Sequence, residues 1–209
     1  MDHYFTRQPA APSRPRKIQA RLRGKVWTFL TDRGVFAQAG IDPGTRLLVE
    51  SMRIEPSDHV LDLGCGYGPI GLVAARLAGE GHVVLVDVNE RAVNLAAQNA
   101  RRLGLRNVEV LVGDGTQPVA DRLFDVVVTN PPIRAGKATL RRLIREVHRI
   151  LRPGGRFYFV ARTAQGARTL AKDVETVFGL VREVAQAVGY RVYEAVREES
   201  PAVVRASRV

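Results

Sequence analysis

Residues 60–68 read Val60-Leu61-Asp62-Leu63-Gly64-Cys65-Gly66-Tyr67-Gly68, and this stretch decides the fold. Its first half is typical of a buried strand and its second half of a glycine-rich turn. Residues 69–77 continue with apolar side chains at helical spacing, which predicts a helix after the turn. The order strand, loop, helix favours a parallel α/β sheet, in which Gly64 and Gly66 would let the backbone pass close to a ligand.

Acidic residues stand at the head of this loop and after the next two predicted strands, 82–87 and 108–112. Asp62 would repel a pyrophosphate and suits a cation, such as the α-ammonium of S-adenosylmethionine. Asp87 can bind a ribose diol by two charge-assisted hydrogen bonds, and Asp114 can accept from an adenine amino group. Taken singly, Asp87 also fits a strand end before a helix N-cap, and Asp114 a turn residue. Their joint order predicts an S-adenosylmethionine site formed by Asp62, Gly64, Cys65, Gly66, Asp87, Val88, Asp114, Gly115 and Asn130.

A second motif, Asn130-Pro131-Pro132-Ile133, directly follows the predicted strand 124–129. Each proline restricts its own backbone and that of the residue before it, so the pair holds Asn130 still. The Asn130 side-chain oxygen and a neighbouring main-chain oxygen would then form a preorganised pair of acceptors for the two hydrogens of an –NH2 group. Alone, the motif fits a rigid turn equally well. Together with the upstream acids and glycines, it predicts methyl transfer onto a planar amine.

In these motifs the sequence resembles the class I S-adenosylmethionine-dependent methyltransferases. More narrowly, it is similar to the small-domain family that includes RsmC-type enzymes, which methylate guanine N2 in small-subunit ribosomal RNA. The resemblance is carried by Asp2 to Phe5 with Pro9, Phe29 to Phe36, Asp42 to Glu50, Asp62 to Gly68, Asp87 to Asn89, and Asn130 to Lys137.

The resemblance implies a Rossmann-like class I methyltransferase fold, S-adenosylmethionine as cofactor, and a catalytic motif formed by Asn130, Pro131, Pro132 and Ile133. It also implies that the segment around Phe36 covers the cofactor and helps form the acceptor pocket. Ile133 departs from the aromatic residue that often follows Asn-Pro-Pro and stacks on the base, so the identity of the base stays open. Larger members carry a second, duplicated domain, and we expect this chain to be the single-domain form.

The net charge of +11 is concentrated in two segments, since residues 1–25 and residues 134–152 each contain seven basic residues and one acidic residue. In the second segment, basic residues recur at helical spacing on one face of a predicted helix, 137–151. Such a stripe suits a phosphate backbone, and a solvated face in an arginine-rich protein is the alternative. We favour RNA contact through Arg134, Lys137, Arg141 and Arg145.

Composition narrows the class of protein further. With 209 residues and 45% apolar content, the chain can form a hydrophobic core without the help of disulfide bonds. One cysteine excludes an intramolecular disulfide, and four scattered histidines offer no metal-ligand spacing, so we expect no metal site. Cys65 is expected to be a small residue beside the cofactor. Because there is no signal peptide and no membrane-spanning run, we expect no membrane contact and a cytoplasmic location.

The remaining pattern alternates helices with strands, which predicts a mostly parallel sheet with helices on both faces and an antiparallel C-terminal hairpin. The helices are predicted at 89–103, 137–151 and 164–178, and the later strands at 156–161, 181–186 and 190–196. We divide the chain into a flexible basic arm (1–25), an N-terminal extension over the pocket (26–57), the methyltransferase domain (58–198) and a tail (199–209).

Three functions fit this sequence. The favoured one is methylation of guanine N2 in 16S ribosomal RNA. Methylation of a glutamine side-chain amide in a translation factor also uses Asn-Pro-Pro, but it prefers an aromatic residue at position 133 and does not need the basic stripe. A cofactor-regulated RNA-binding or assembly factor without catalysis is the third. The oligomeric state is left open.

Overall fold

The computed structural model describes residues 7–9 and 11–198, apart from the side chain of Arg134. The predicted tail 199–209 and the segment Asp2 to Phe5, which contributes to the family resemblance, lie outside the described residues. The described residues form nine strands and five α-helices. The strands are β1 (Arg16–Leu22), β2 (Lys25–Thr31), β3 (His59–Leu63), β4 (His82–Asp87), β5 (Val108–Val112), β6 (Phe124–Thr129), β7 (Leu151–Arg162), β8 (Val181–Ala187) and β9 (Tyr190–Val196). The helices are α1 (Pro43–Ser51), α2 (Pro69–Leu77), α3 (Glu90–Arg102), α4 (Lys137–Ile150) and α5 (Ala167–Phe178).

Strands β3 to β9 form one seven-stranded sheet in the order β5-β4-β3-β6-β7-β9-β8. The first five strands of that order pair in parallel, whereas β9 runs antiparallel to both β7 and β8. The predicted fold class is confirmed: a Rossmann-like, mostly parallel sheet with an antiparallel C-terminal hairpin. Because these five strands run parallel, their carboxyl ends meet at one edge, where such sheets bind ligands.

The core consists of two apolar layers, one on each face of the sheet. One layer contains buried side chains from α1, α2 and α3, and the other contains buried side chains from α4 and α5. Strand β4 is apolar and buried from Val83 to Val86, as expected for a parallel strand covered on both faces. Helix α4 buries Leu140, Ile144 and Val147, whereas its basic residues Lys137, Arg141, Arg145 and Arg149 are exposed.

Residues 16–25 correct the predicted flexible arm, because β1 pairs with β2 as an antiparallel hairpin. Ala20 and Leu22 of β1 are buried and alternate with charged residues, a period of two that a high density of arginine obscures. Asn99 of α3 is fully buried and fixes the hairpin: its Nδ2 donates to Leu30 O at 2.9 Å, and its Oδ1 accepts from Leu30 N at 2.7 Å. The hairpin is therefore a packed part of the domain.

The residues just before the hairpin also contact the domain. Glu90 N at the start of α3 donates to Arg7 O at 3.0 Å. The Asp32 carboxyl accepts from the Ser13 hydroxyl at 2.6 Å and from Arg14 N at 2.5 Å. Burial raises the pKa of Asp32, but these hydrogen bonds, together with one from Arg33 N and the charge of Arg91, outweigh it and hold the pKa below its usual value. The described residues before the hairpin are thus held by α3 and by Asp32.

Two features are absent from the described residues. No group of three or more His, Cys, Asp or Glu side chains in that part of the chain is arranged to hold a metal ion. Within the same ranges, no helix combines the length and the apolar character needed to cross a membrane.

Candidate active site

A cavity of about 680 Å³ lies at the carboxyl ends of the parallel strands, within the range of about 300–1,000 Å³ usual for ligand pockets. It brings together most of the residues predicted from sequence to touch cofactor or acceptor. Those that line it are Phe36, Gly64, Cys65, Gly66, Asp87, Val88, Asp114, Gly115, Asn130, Pro131, Pro132 and Ile133. Asp62, Lys137, Arg141 and Arg145 do not line it.

The glycine-rich loop after β3 forms one wall of the cavity. Gly64 and Gly66 have φ of 76° and 57°, in the left-handed region, and a Cβ at either would point into open space. Gly64 N and Cys65 N donate to Val86 O at 2.8 and 3.0 Å, and Gly66 N donates to Asp87 Oδ2 at 2.8 Å. Strand β4 therefore holds the loop in a shape that leaves room for a ligand against its backbone.

Cys65 lies within this loop, and burial raises the pKa of its thiol well above the usual value. The nearby carboxyls of Asp87 and Asp62 raise it further. Since the thiolate is the nucleophilic form, these surroundings suit an inert small residue.

Two carboxyls face the cavity beyond the loop. Asp87 accepts hydrogen bonds from Gly66 N and from Asn89 N, the latter at 2.9 Å. Burial raises the pKa of Asp87 above its usual value, although these backbone N–H groups lower it in part. The side chain of Asp114 is 61% exposed, and Arg142 Nη2 donates hydrogen bonds to its two oxygens at 2.8 and 2.9 Å. Sequence reasoning missed Arg142, which approaches Asp114 from α4.

Asp62, which was predicted to bind the cofactor, does not line the cavity. It is fully buried on the α2 side of β3, where its Oδ2 accepts from Gly71 N at 2.7 Å. Its Oδ1 has no partner among the described residues. Burial raises the pKa of Asp62 to about 7; the bond from Gly71 N opposes this shift and the Asp87 charge adds to it. Strand residues alternate between faces, so Asp62 points toward α2 from behind the loop.

Asn130 lies immediately after β6, with its side-chain amide held in one orientation. Its Nδ2 donates to Asp42 Oδ2 at 3.1 Å and to Thr45 Oγ1 at 3.0 Å. A carboxylate can only accept hydrogen bonds, so the amide nitrogen must face Asp42 and Oδ1 must face away from it. Oδ1 accepts no hydrogen bond from the described residues. The Pro131 carbonyl accepts from Ile133 N at 2.8 Å and keeps its second lone pair.

Asp42 is the centre of this network and was not predicted as a site residue. It is the N-cap of α1 and accepts from Thr45 N at 3.0 Å, while its other oxygen accepts from the Tyr190 hydroxyl at 3.0 Å. The ring of Tyr190 lies so close to α1 that a Cβ at Gly44 would be 2.5 Å from it. Asp-Pro-Gly-Thr at 42–45 does signal a helix start, but it does not indicate a contact with Asn130.

The predicted RNA-contacting residues lie outside the cavity lining. Lys137 and Arg145 are exposed, and Arg141 pairs with Asp173 of α5 at 3.1 Å. The Arg134 side chain lies outside the described part of the chain. RNA contact by this face of α4 therefore stays a prediction.

Comparison with known proteins bears on this site. The family model described as methyltransferase small domain matches residues 26–194. The uncharacterized protein YbxB of Bacillus subtilis is 36% identical over 196 residues, which cover 93% of this chain and 98% of that protein. Ribosomal RNA small subunit methyltransferase C of Pseudomonas entomophila is 34% identical over 168 residues, which cover 78% of this chain and 49% of that one.

Among solved structures, the Thermus thermophilus 16S rRNA N2 G1207 methyltransferase (RsmC), in complex with AdoMet and guanosine, matches with a TM-score of 0.79 and 29% identity. The match covers 91% of this chain and 52% of that one. This chain therefore spans about half the length of the two ribosomal RNA methyltransferases. The family model nevertheless covers most of the chain, including the cavity, and confirms the family resemblance of the sequence. The chain belongs to the methyltransferase small domain family.

Proposed function

We propose that this protein is an S-adenosylmethionine-dependent methyltransferase that modifies the exocyclic N2 amine of a guanine in small-subunit ribosomal RNA. The observation that carries the proposal is the fixed amide of Asn130, whose nitrogen is bound by Asp42 and Thr45. This leaves its oxygen as an acceptor beside the cavity, next to the Pro131 carbonyl.

The residues around the cavity fit S-adenosylmethionine. That molecule offers hydrogen-bond donors and positive charge, and the cavity offers carboxyl acceptors at Asp87 and Asp114. Asp87 would hold the ribose hydroxyls, Asp114 the adenine amino group, and the backbone around Gly64 and Gly66 the methionine part, where the space that a Cβ would fill is open. When bound, S-adenosylmethionine supplies an electrophilic methyl group.

The protein's task is then to prepare the acceptor. An exocyclic amine of a purine is a poor nucleophile because its lone pair is delocalised into the ring. Asn130 Oδ1 and the Pro131 carbonyl would accept its two hydrogens, favour a pyramidal nitrogen and aim the lone pair along one direction. Holding two reactants in such a geometry can contribute about 7–11 kcal/mol. No strong base is needed.

The choice of guanine and of RNA rests on likeness and charge. The Thermus thermophilus relative is described as an N2 methyltransferase of 16S rRNA bound to guanosine, and it aligns over most of this chain. The exposed basic face of α4 begins directly after the Asn130 motif and suits a phosphate backbone.

The test is transfer of labelled methyl from S-adenosylmethionine to ribosomal RNA and to 30S particles, with nucleoside mapping by mass spectrometry. We expect N2-methylguanosine, lost at least 100-fold in Asn130→Ala while cofactor affinity stays within about twofold. Asn94→Ala, an exposed asparagine on α3, is the matched control. Label found only in protein would favour the glutamine alternative. RNA binding without any turnover would favour the non-catalytic one.

A further inference from the structure

Two of the described arginines line the cavity, and they differ in what binds them. Arg142 is engaged by Asp114 on the cofactor side. Arg162, at the carboxyl end of β7, is exposed, and no described carboxyl forms an ion pair with it. One cation of the cavity is therefore neutralised, and the other is available to an anionic ligand.

Tyr190 holds Arg162 in place. The two residues are register partners across β7 and β9, and the guanidinium carbon lies 5.6 Å from the centre of the Tyr190 ring. The ring is itself fixed, because its hydroxyl donates to Asp42. A guanidinium stacked on an aromatic face keeps its N–H groups in the plane, where they can form two parallel bonds with a phosphate. Stacking also reduces the freedom that the side chain would lose on binding.

The position of Arg162 in the sheet indicates which part of the ligand it faces. Asp87 ends β4, Asp114 follows β5, Asn130 follows β6, and Arg162 ends β7. Neighbouring strands lie about 4.8 Å apart, so Arg162 is one strand beyond Asn130, on the side away from the two acids. A nucleotide with its amine at Asn130 would find positive charge toward β7 and negative charge toward β4.

We propose that Arg162 forms an anion subsite for a phosphate next to the acceptor base, so that the cavity binds a nucleotide in preference to the bare nucleoside. This inference rests on the proposed function, and it names a recognition element of the same site. Tyr190 then has two connected roles: it orients Arg162 toward the phosphate and Asp42 toward the catalytic asparagine.

The experiment measures binding of guanosine and of guanosine 3′- and 5′-monophosphates to the full chain saturated with S-adenosylhomocysteine, by calorimetry. Wild-type protein is expected to bind at least one monophosphate about tenfold more tightly than guanosine, because hydrogen bonds to a charged group are worth that much. Arg162→Ala should abolish this preference while guanosine affinity stays within twofold, and Arg162→Lys should restore part of it. Arg106→Ala, an exposed arginine just before β5 at the opposite edge of the sheet, should leave the preference intact.

Equal affinity of the wild type for nucleoside and monophosphate, or an unchanged preference in Arg162→Ala, would overturn the subsite. An equal loss for both ligands would overturn it too, because Arg162 would then act through Tyr190 alone. The same comparison of nucleoside with monophosphate, repeated with adenine, cytosine and uracil as the base, separates the guanine assignment from the phosphate subsite. A phosphate preference that depends on Arg162 but is seen only with another base contradicts the guanine assignment and keeps the subsite. Methylation of guanine N2 without any phosphate preference keeps the function and rejects the subsite.

Discussion

Removal of the Asp42 carboxyl tests whether the orientation of the Asn130 amide matters for turnover. Asp42→Ala leaves Thr45 Oγ1 as the remaining described partner of the Asn130 nitrogen. A hydroxyl can donate as well as accept, so it does not distinguish the amide nitrogen from the amide oxygen. The Asn130 side-chain amide can then rotate by about 180° and present its nitrogen to the cavity. There its N–H groups would repel the hydrogens of an acceptor amine.

The structure sets the size of the expected effect. A hydrogen bond to a charged group is worth about 1.5–3 kcal/mol, and the bond at 3.1 Å between Asn130 Nδ2 and Asp42 holds the amide in the orientation with Oδ1 on the cavity side. Since about 1.4 kcal/mol corresponds to tenfold in rate, we expect kcat to fall about 10- to 100-fold. Loss of the α1 N-cap should also lower the free energy of unfolding by about 1 kcal/mol.

The assay is single-turnover methyl transfer at saturating cofactor, with cofactor affinity from calorimetry and stability from urea unfolding. Asp42→Asn is the informative partner variant. Its amide oxygen can accept from Thr45 N and Asn130 while its nitrogen donates to the Tyr190 hydroxyl, so it should keep most of the activity. A kcat unchanged in Asp42→Ala, or lost equally in Asp42→Asn, would refute the role of orientation.

Three further predictions concern charge and burial. Because burial raises the pKa of Asp62 from 3.8 to about 7, its stabilising contribution is present below about pH 4 and lost as the pH rises through 7. Asp62→Asn should therefore raise Tm more at about pH 8 than at pH 4, and an equal shift at both would contradict the burial argument. Asn99→Leu should lower the free energy of unfolding, measured in urea, by about 3 kcal/mol or more. The substitution leaves Leu30 N, Leu30 O and Tyr67 O without their hydrogen bonds to Asn99, the last of which is 2.9 Å long. Asn94→Leu on the exposed face of α3 should cost little, and comparable losses would count against the buried contacts. Lys137→Ala/Arg145→Ala should weaken RNA binding and flatten its dependence on salt; an unchanged slope in a filter-binding titration would remove this face of α4 from the interface.

Much of the sheet was predictable because its signals are local. Strands β3, β4 and β6 are short apolar runs. Asp62 is the penultimate residue of β3, Asp87 is the last residue of β4, and Asn130 directly follows β6. Glycine or proline comes soon after two of these three strand ends. It is harder to predict from the sequence which residue near a strand end contacts the ligand. Asp62 is the register partner of Leu85, so Asp62 and Asp87 point to the same face of the sheet. Asp87 lies further toward the carboxyl edge and lines the cavity, whereas Asp62 lies one step back and is buried.

The supports of the site were not predictable, because they join residues that are far apart in the chain. Asp42 meets Asn130 across 88 positions and Tyr190 across 148. Single side-chain contacts of this kind leave no period in the sequence, unlike an amphipathic helix or an alternating strand. The β1 and β2 hairpin was missed for a different reason: its alternation is present, but its outward positions carry the charges that suggested a flexible arm.

These contacts between residues distant in the sequence also indicate where the catalytic unit begins. Residues 26–57 were predicted as an extension that covers the pocket, and a cover could be removed without altering the groups beneath it. The Asn130 amide, however, is oriented by α1, and Asn89 Nδ2 donates to Gly34 O at 2.8 Å, which ties the turn before Phe36 to the start of α3. Because one end of each contact belongs to the extension and the other to a strand end of the sheet, the two segments form one site. A boundary at residue 58 would cut through it.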